Sequence, residues 1–528
     1  MKRLLTFFVL FALLCFAGCA ARTEAETDAP TPTAHVHAFI EKVQSDAYLY
    51  RAATCGEQPI YCYSCACGEM GKAVFKGDPV PHSYGVSITD AGAIERAYCT
   101  KEGCGHEVRP SLKLPTVGTL QGAFSCSGND YADVDSAKIF WYDNCTEADF
   151  QAYVRALEGL GCAEKETYRL GDNRYSLFTN EFFTAYLSFL TDESALRVYI
   201  GRSDDAVPAK NHTGDGSAVQ PALWQIDVDC RTARSNGGMS YVLQLSDGKF
   251  LVVDGGYETD SDANAIYRIL AENKPADHEK PIVAGWFITH LHIDHCGALR
   301  RFASLHKDDV KVEGFYYNVL YKNVGDLWPS NSRTWENVMS SFNGATLYRK
   351  LHSGMQIAFA GASVTVLCTF EDVYPLSFTS GNDTSVVFRV DVAGQSILFL
   401  GDAEHGESDR MMHLPSDVLH ADILQYAHHG YDKQCRGELY AKINPETVLW
   451  PMPFVNWESD SYGKVFQPRY EGTSSNSHRE NEWIRNAAGV KKLIVMAEGT
   501  TKLTLPYAPT GARNADYDAL YEAQRPKN

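Results

Sequence analysis

The sequence has no surplus of basic charge. Forty-eight Lys and Arg stand against 66 Asp and Glu, a formal net charge of −18 over 528 residues. Proteins that wrap a nucleic-acid backbone show the opposite sign, so extended nucleic-acid binding is disfavoured, while a small site that meets phosphates is not. Cysteine is scarce too: 15 residues fall well short of a disulfide scaffold. Past the first 19 residues no stretch is long and apolar enough to span a bilayer. What is present is ordinary globular material, 45% hydrophobic and 22% charged, which excludes wholesale disorder, collagen and coiled coil. The length predicts several domains.

The beginning of the chain reads as an address. Met1-Lys2-Arg3 is basic, and Leu4 to Ala17 is almost unbroken apolar sequence. At about 1.5 Å per residue that run reaches about 21 Å as a helix, short of the roughly 30 Å of hydrocarbon in a bilayer, so an export signal is expected. It ends Phe16-Ala17-Gly18-Cys19, which resembles the bacterial lipoprotein lipobox, with Phe16 where Leu is usual. That resemblance implies a signal peptide over 1–19 and a lipid on Cys19 that anchors the protein to a membrane, facing outside the cytoplasm. A plain secretory signal cut near Ala21 is the alternative. Residues 20–35, small, polar and Pro-containing, read as a flexible linker.

Residues 36–112 form a Cys-rich region, with Cys55, Cys62, Cys65, Cys67, Cys99 and Cys104. In YCYSCACGEMG and YCTKEGCGHE a Cys-Gly pair ends a strand-like run. A glycine there lets the chain fold back so that thiolates point inward. The region resembles small zinc-ribbon-like repeats of extracellular bacterial proteins, which implies a structural zinc on Cys65, Cys67, Cys99 and Cys104, with His82 or His106 as further ligands. Disulfides are the rival outside a cell. Residues 115–203 read as a small α+β domain: Phe150, Tyr153, Val154, Leu157 and Leu160 have helical spacing, Thr146 with Asp149 marks the start, Gly161 the stop, and strand-like runs come after it.

The chemistry lies in residues 214–508. LVVDGGY ends a strand-like run at Asp254. PIVAGWFITHLHIDHCGAL then runs an apolar strand straight into His290, His292, Asp294 and His295. Four ligand-type side chains within six residues, imidazole and carboxylate together, suit zinc or a similar divalent ion. Two further apolar runs end on candidate ligands, SVVFRVDVAGQSILFLGDAE at Asp402 and ADILQYAHHG at His428 and His429. Either alone carries little weight. The ordered trio carries much.

Together these segments resemble the metallo-β-lactamase fold and, through THLHIDHCG, SGNDTSVVFRV, LFLGDAE and DILQYAHHG, the hydrolase domain of its ComEC-like branch. The fold class expected is α/β, an αββα sandwich preceded by the small Cys-rich β module and the small α+β domain, with residues 509–528 as a tail. The resemblance implies two divalent metal ions, zinc first and manganese second. His290 and His292 would bind one ion, Asp294 and His295 the other, Asp402 would bridge them, and His428 would complete the second site. Many family members carry another His before the bridging Asp; Asn382-Asp383 stands there, so Asp383 or water would fill in at the first ion. Two smaller departures are Ala298, where a second Gly is common, and Tyr431, where Ser is the usual neighbour of HHG.

The mechanism implied is attack by a hydroxide shared between the ions, with Asp294 orienting it and His429 either holding a substrate oxygen or protonating the leaving group, or else propping His428 from behind. The branch contains nucleases and an esterase that releases phosphorylcholine, so hydrolysis of a phosphodiester in a small molecule or the cell envelope is the leading expectation. Hydrolysis of a lactone, amide or sulfate ester is a second reading, and a non-catalytic surface-binding protein a third. Trp328, Trp335, Trp450 and Trp457 either wall the cleft or pack under long loops. Lys433 and Arg436, just past HHG, either meet a phosphate or are surface charges.

Overall fold

This computed structural model describes residues 36–55, 57–79, 81–101, 103–126, 137–211, 218–228, 238–318, 320, 329–431, 434–451, 487, 489–496 and 499–510. The signal, the lipobox, the linker 20–35 and residues 511–528 of the C-terminal tail lie outside them. The chain divides into two compact units, Met1–Val80 and Pro81–Asn528. Among the described residues no helix is long and apolar enough to cross a membrane.

The first unit is a three-stranded antiparallel sheet of Leu49–Arg51, Ile60–Ser64 and Met70–Lys76. The division falls inside the region that the sequence presents as a single Cys-rich module. The reason is packing. Strands Tyr84–Ile88 and Ala93–Cys99 lay Tyr84, Val86, Ile94 and Ala97 into one core with Phe140, Tyr153 and Leu157, so residues 81–113 belong to the second unit.

In the second unit a six-stranded antiparallel sheet runs in the order Ala163–Leu170, Asn173–Thr179, Phe183–Leu190, Ala195–Arg202, Lys138–Asp143, Thr119–Ser125. Helix Glu147–Gly159 covers one face. Thr146 and Asp149 close a reciprocal capping box at its start, and Phe150, Tyr153 and Leu157 are its buried stripe. The opposite face puts Tyr168, Leu170, Tyr175, Leu177, Tyr186 and Tyr199 into the core of the third, largest part. The Tyr186 ring lies 3.5 Å from that of His352, and the Tyr374 hydroxyl donates to the Ser125 carbonyl at 3.1 Å.

That largest part is two facing sheets. In the first, Phe250–Asp254, Ile282–Phe287, Gly314–Tyr316 and Thr346–Tyr348 run parallel, with Ser240–Gln244, Ala222–Gln225 and Thr501–Thr504 added antiparallel. In the second, Gln395–Phe399, Ile423–Gln425, Thr447–Trp450 and Lys492–Val495 run parallel beside an antiparallel meander of Gln356–Phe359, Ala362–Cys368 and Val387–Val392. Helices Asp260–Asn273 and Ile293–His306 pack Ile266, Leu270, Leu299 and Phe302 against the outside of the first sheet. Helices His405–Met411 and Gly437–Ile443 place Met411, Leu439 and Ile443 in the core of the second. The result is a mixed α/β sandwich of helix, sheet, sheet and helix. Strands buried on both faces read as continuous apolar runs, which is why IVAGWF and SILF show no alternation.

Candidate metal centre

Parallel strands carry the site at their carboxyl ends, where side chains from neighbouring strands converge. Strand Phe250–Asp254 ends on Asp254, Ile282–Phe287 leads into residues 289–295, Gln395–Phe399 into Asp402, and Ile423–Gln425 into the turn at 427–430. His290 and His292 lie beyond their strand. His292 is the N-cap of helix Ile293–His306, so Asp294 and His295 sit in its first turn.

Two groups of donor atoms form there, each lying within 4.8 Å: His290, His292 and Asp402, and Asp294, His295, Asp402 and His429. Asp402 belongs to both. His290 Nε2 is 3.0 Å from His292 Nδ1 and 3.8 Å from Asp402 Oδ2. His295 Nε2 is 3.1 Å from Asp402 Oδ2 and 3.9 Å from Asp294 Oδ2. His429 Nε2 is 3.4 Å from Asp402 Oδ1, 3.7 Å from Asp294 Oδ2 and 3.3 Å from His295 Nε2.

The adjacent histidines exchange the places expected from sequence. His429 joins the second group, whereas His428, expected there, has its Nε2 3.2 Å from Asn382 Nδ2. Asn382 in turn donates to Glu404 Oε1 at 2.9 Å. The backbone decides between the two. His428 and His429 both adopt left-handed angles, φ 47° and 53°, which no strand periodicity anticipates. The turn is pinned from behind: Trp450 Nε1 donates to the His429 carbonyl at 2.9 Å, and His429 Nδ1 lies 3.0 Å from the Pro451 carbonyl. Gly430, at φ 82°, is required because a Cβ there would stand 2.6 Å from the Trp450 indole nitrogen. Asp383 is not a donor to either group. Its carboxylate accepts from the Thr379 and Ser380 backbone N–H groups, capping the short helical turn Gly381–Thr384. Trp450 is fully buried and Trp335 packs under Arg300, so neither walls a cleft. Arg436 pairs with Asp409 at 2.6 Å. Trp328, Trp457 and Lys433 lie outside the described residues.

Asp254 has no role that the motifs alone reveal, although the DGG at a strand end is its signal. It is fully buried, and its carboxylate accepts from Thr289 N at 2.8 Å, Thr289 Oγ1 at 2.7 Å and His295 Nδ1 at 2.8 Å. The Thr289 hydroxyl, having given its proton to Asp254, accepts from His290 Nδ1 at 3.1 Å. One carboxylate thus sets the tautomers of two imidazoles and turns both Nε2 atoms inward.

These contacts test whether metal ions fit. His295 Nδ1–H donates to a carboxylate, and His429 Nδ1–H to a proline carbonyl, an acceptor only; the Gly238 N–H, 3.3 Å from the same Nδ1, is the longer contact. In the neutral rings both Nε2 atoms would therefore present lone pairs to each other and to two carboxylates, so that the space between them calls for a proton or a metal ion. Asp402 Oδ1 is buried with no hydrogen-bond partner. Lone pairs facing one another in a buried site repel unless a cation lies among them. The proton balance agrees. Burial alone would lower the His295 imidazole, but Asp402, Asp294 and Asp254 outweigh it and raise it well above its ordinary range. Burial alone would raise the Asp402 carboxyl, but His295 and His429 hold it well below. Burial, with His295 and His292 alongside, keeps His290 well below. Two divalent ions fit the six side chains, whose nitrogen and oxygen donors suit zinc, iron or manganese.

Cys65 and Cys67 group with His37 in the first unit; Cys99 and Cys104 group with His82 in the second, where Cys104 Sγ is 3.5 Å from His82 Nδ1. His106 stacks on His82, with ring centres 4.1 Å apart. No two described cysteines are joined by a disulfide.

The sequence pattern of the metallo-beta-lactamase superfamily matches residues 234–336, the stretch that holds His290, His292, Asp294 and His295. No curated protein matches the chain. Among solved structures it is similar to CmlA, a diiron beta-hydroxylase from Streptomyces venezuelae, at 12% identity and TM-score 0.34, covering 55% of this chain and 55% of that one. It is also similar to Zn(2+)-bound PqqB from Methylobacterium extorquens, at 10% identity and TM-score 0.27, covering 39% of this chain and 72% of that one. The chain thus spans about half the length of CmlA.

Proposed function

We propose that this chain, which carries a metallo-beta-lactamase superfamily domain, is a binuclear metal-dependent hydrolase of a phosphodiester or related phosphate ester, exported and held at a membrane by a lipid on Cys19. The observation that carries the hydrolase reading is the pair of donor groups sharing Asp402. Bound there, two divalent ions, zinc by preference and manganese next, supply Lewis acidity and bring a water's pKa toward 7. His290, His292 and Asp402 would hold one; Asp294, His295, Asp402 and His429 the other. Asp294 is the member of its group most open to solvent, at 18% exposure against 3% or less for His295, Asp402 and His429. Its Oδ2 would accept a hydrogen bond from the attacking water and orient it. His428, half-buried and steadied by Asn382, takes the substrate-facing role that the motif alone assigns to His429.

The phosphoester preference rests on the ComEC-like motifs, and export and anchoring on the first nineteen residues. The acidic net charge favours a small or envelope-bound substrate over a long polyanion. The complete donor set favours an enzyme over a binding protein. Residues 20–528 loaded with zinc or manganese should cleave bis-p-nitrophenyl phosphate, and the Asp294→Ala, His295→Ala double variant should not. Turnover of a lactone or β-lactam with none of any phosphodiester would overturn the substrate class and leave the metal centre standing.

A further inference from the structure

We infer that residues 36–79 are folded around a metal ion of their own, zinc by the chemistry of its donors, held by His37, Cys65 and Cys67. This ion is distinct from those of the hydrolase centre. The three donor atoms lie within 4.8 Å of one another, and His37 Nδ1 is 3.4 Å from Cys67 Sγ. Two thiolates and an imidazole are a soft, nitrogen-containing set that selects zinc over magnesium or calcium, with a solvent oxygen completing the tetrahedron.

The surroundings are built to aim those donors. His37 Nε2 is 2.9 Å from Glu69 Oε2, and a carboxylate on one ring nitrogen fixes the proton there and leaves the other nitrogen for the ion. Cys65 and Cys67 sit in the turn between Ile60–Ser64 and Met70–Lys76. That turn is closed by Cys65 N–H to the Glu69 carbonyl at 2.9 Å and by Gly68 N–H to the Cys65 carbonyl at 2.8 Å. Gly68 takes φ 89°, which turns the chain back beneath the thiolates, and the Tyr48 hydroxyl holds its carbonyl at 3.0 Å.

A second line of argument is independent of that geometry. Among the described residues of this unit, Pro59, Cys62 and Cys65 are the only buried apolar side chains, while Ile40, Tyr50 and Met70 are 71%, 68% and 54% exposed. A unit of roughly forty residues needs a disulfide, a metal or a partner to offset the entropy of ordering its chain. No disulfide joins the described cysteines. The ion supplies what the missing core does not, since a structural zinc contributes its binding energy directly to folding.

The test uses residues 20–528, loaded with zinc and separately with cobalt. Neither donor group of the hydrolase centre contains a thiolate among the described residues, so thiolate-to-cobalt charge-transfer absorption reports on the Cys sites. The Cys65→Ser, Cys67→Ser double variant should hold one ion fewer per chain and lose part of that absorption. It should be cut faster by protease within 36–79 and hydrolyse at the wild-type rate. His37→Ala should weaken the same ion, and His37→Cys should restore it with stronger absorption. An unchanged ion count and cobalt spectrum in the double variant would overturn the inference. So would a Cys65–Cys67 disulfide in the wild-type protein, or loss of the ion with no change in proteolysis.

Discussion

Replacing Asp254 by Asn changes one oxygen into an NH2 group and should weaken the centre's hold on its metals. The Asn carbonyl can still accept the Thr289 N–H. Its NH2 group then faces the Thr289 hydroxyl and His295 Nδ1, both of which donate to Asp254 in the wild-type protein. To accept from that NH2 group, His295 must move its ring proton to Nε2, the atom 3.1 Å from Asp402 Oδ2. A protonated Nε2 has no lone pair for an ion. Removing the hydrogen-bond partner behind a liganding histidine typically lowers metal affinity about 10- to 100-fold. At about 1.4 kcal/mol per tenfold, that is about 1.4–2.8 kcal/mol. Thr289 carries the same influence to His290, so Thr289→Val should weaken the first group, while Thr289→Ser keeps the hydroxyl and should bind like wild type. Chelator competition on the metal-free protein, with zinc titrated back, reads both affinities. Wild-type affinity for both ions in Asp254→Asn would refute this tautomer argument.

The same contacts give two other expected outcomes. His429→Ala should lose one ion and reduce the hydrolytic rate at least about 100-fold, whereas His428→Ala should keep both ions and lose rate alone; ion counting by plasma emission beside the rate assay distinguishes them. Metal uptake should release protons: the His295 pKa is raised in the metal-free site, so the ring is charged at neutral pH, and an ion must displace that proton. Affinity should therefore fall as pH falls, and a weakly buffered titration in which zinc binds without acidifying the solution would contradict the assignment.

The centre is partly legible in the sequence because its first four donors are close together. His290, His292, Asp294 and His295 need only a strand end and the first turn of a helix to converge, and residue spacing reports such local geometry. Asp402 is legible as a strand end in the right order. The choice between His428 and His429 is not. It depends on two left-handed residues and on Trp450 and Pro451, more than twenty positions on, and such a contact leaves no local pattern. Asp254 is hidden for a similar reason: its partners lie 35 and 41 positions away, and only the fold brings them together. The cysteines read as one module because they are close in sequence. The division after Val80 is set by where Tyr84 and Val86 find apolar neighbours, among residues such as Phe140 and Tyr153.

The tyrosine-rich face of the six-stranded sheet leaves the hydrolase without a wall of its own on that side. Tyr175 presses against Gly354 closely enough that a single added methyl would collide at 2.5 Å, and Arg410 reaches across to Glu193. Cutting the chain between the small domain, 115–203, and residues 214–508 would uncover an apolar surface on both halves and strand the buried Asp372 without Arg197. Damage to the small domain should therefore reach the metal centre as lost stability, with no contact to any ligand.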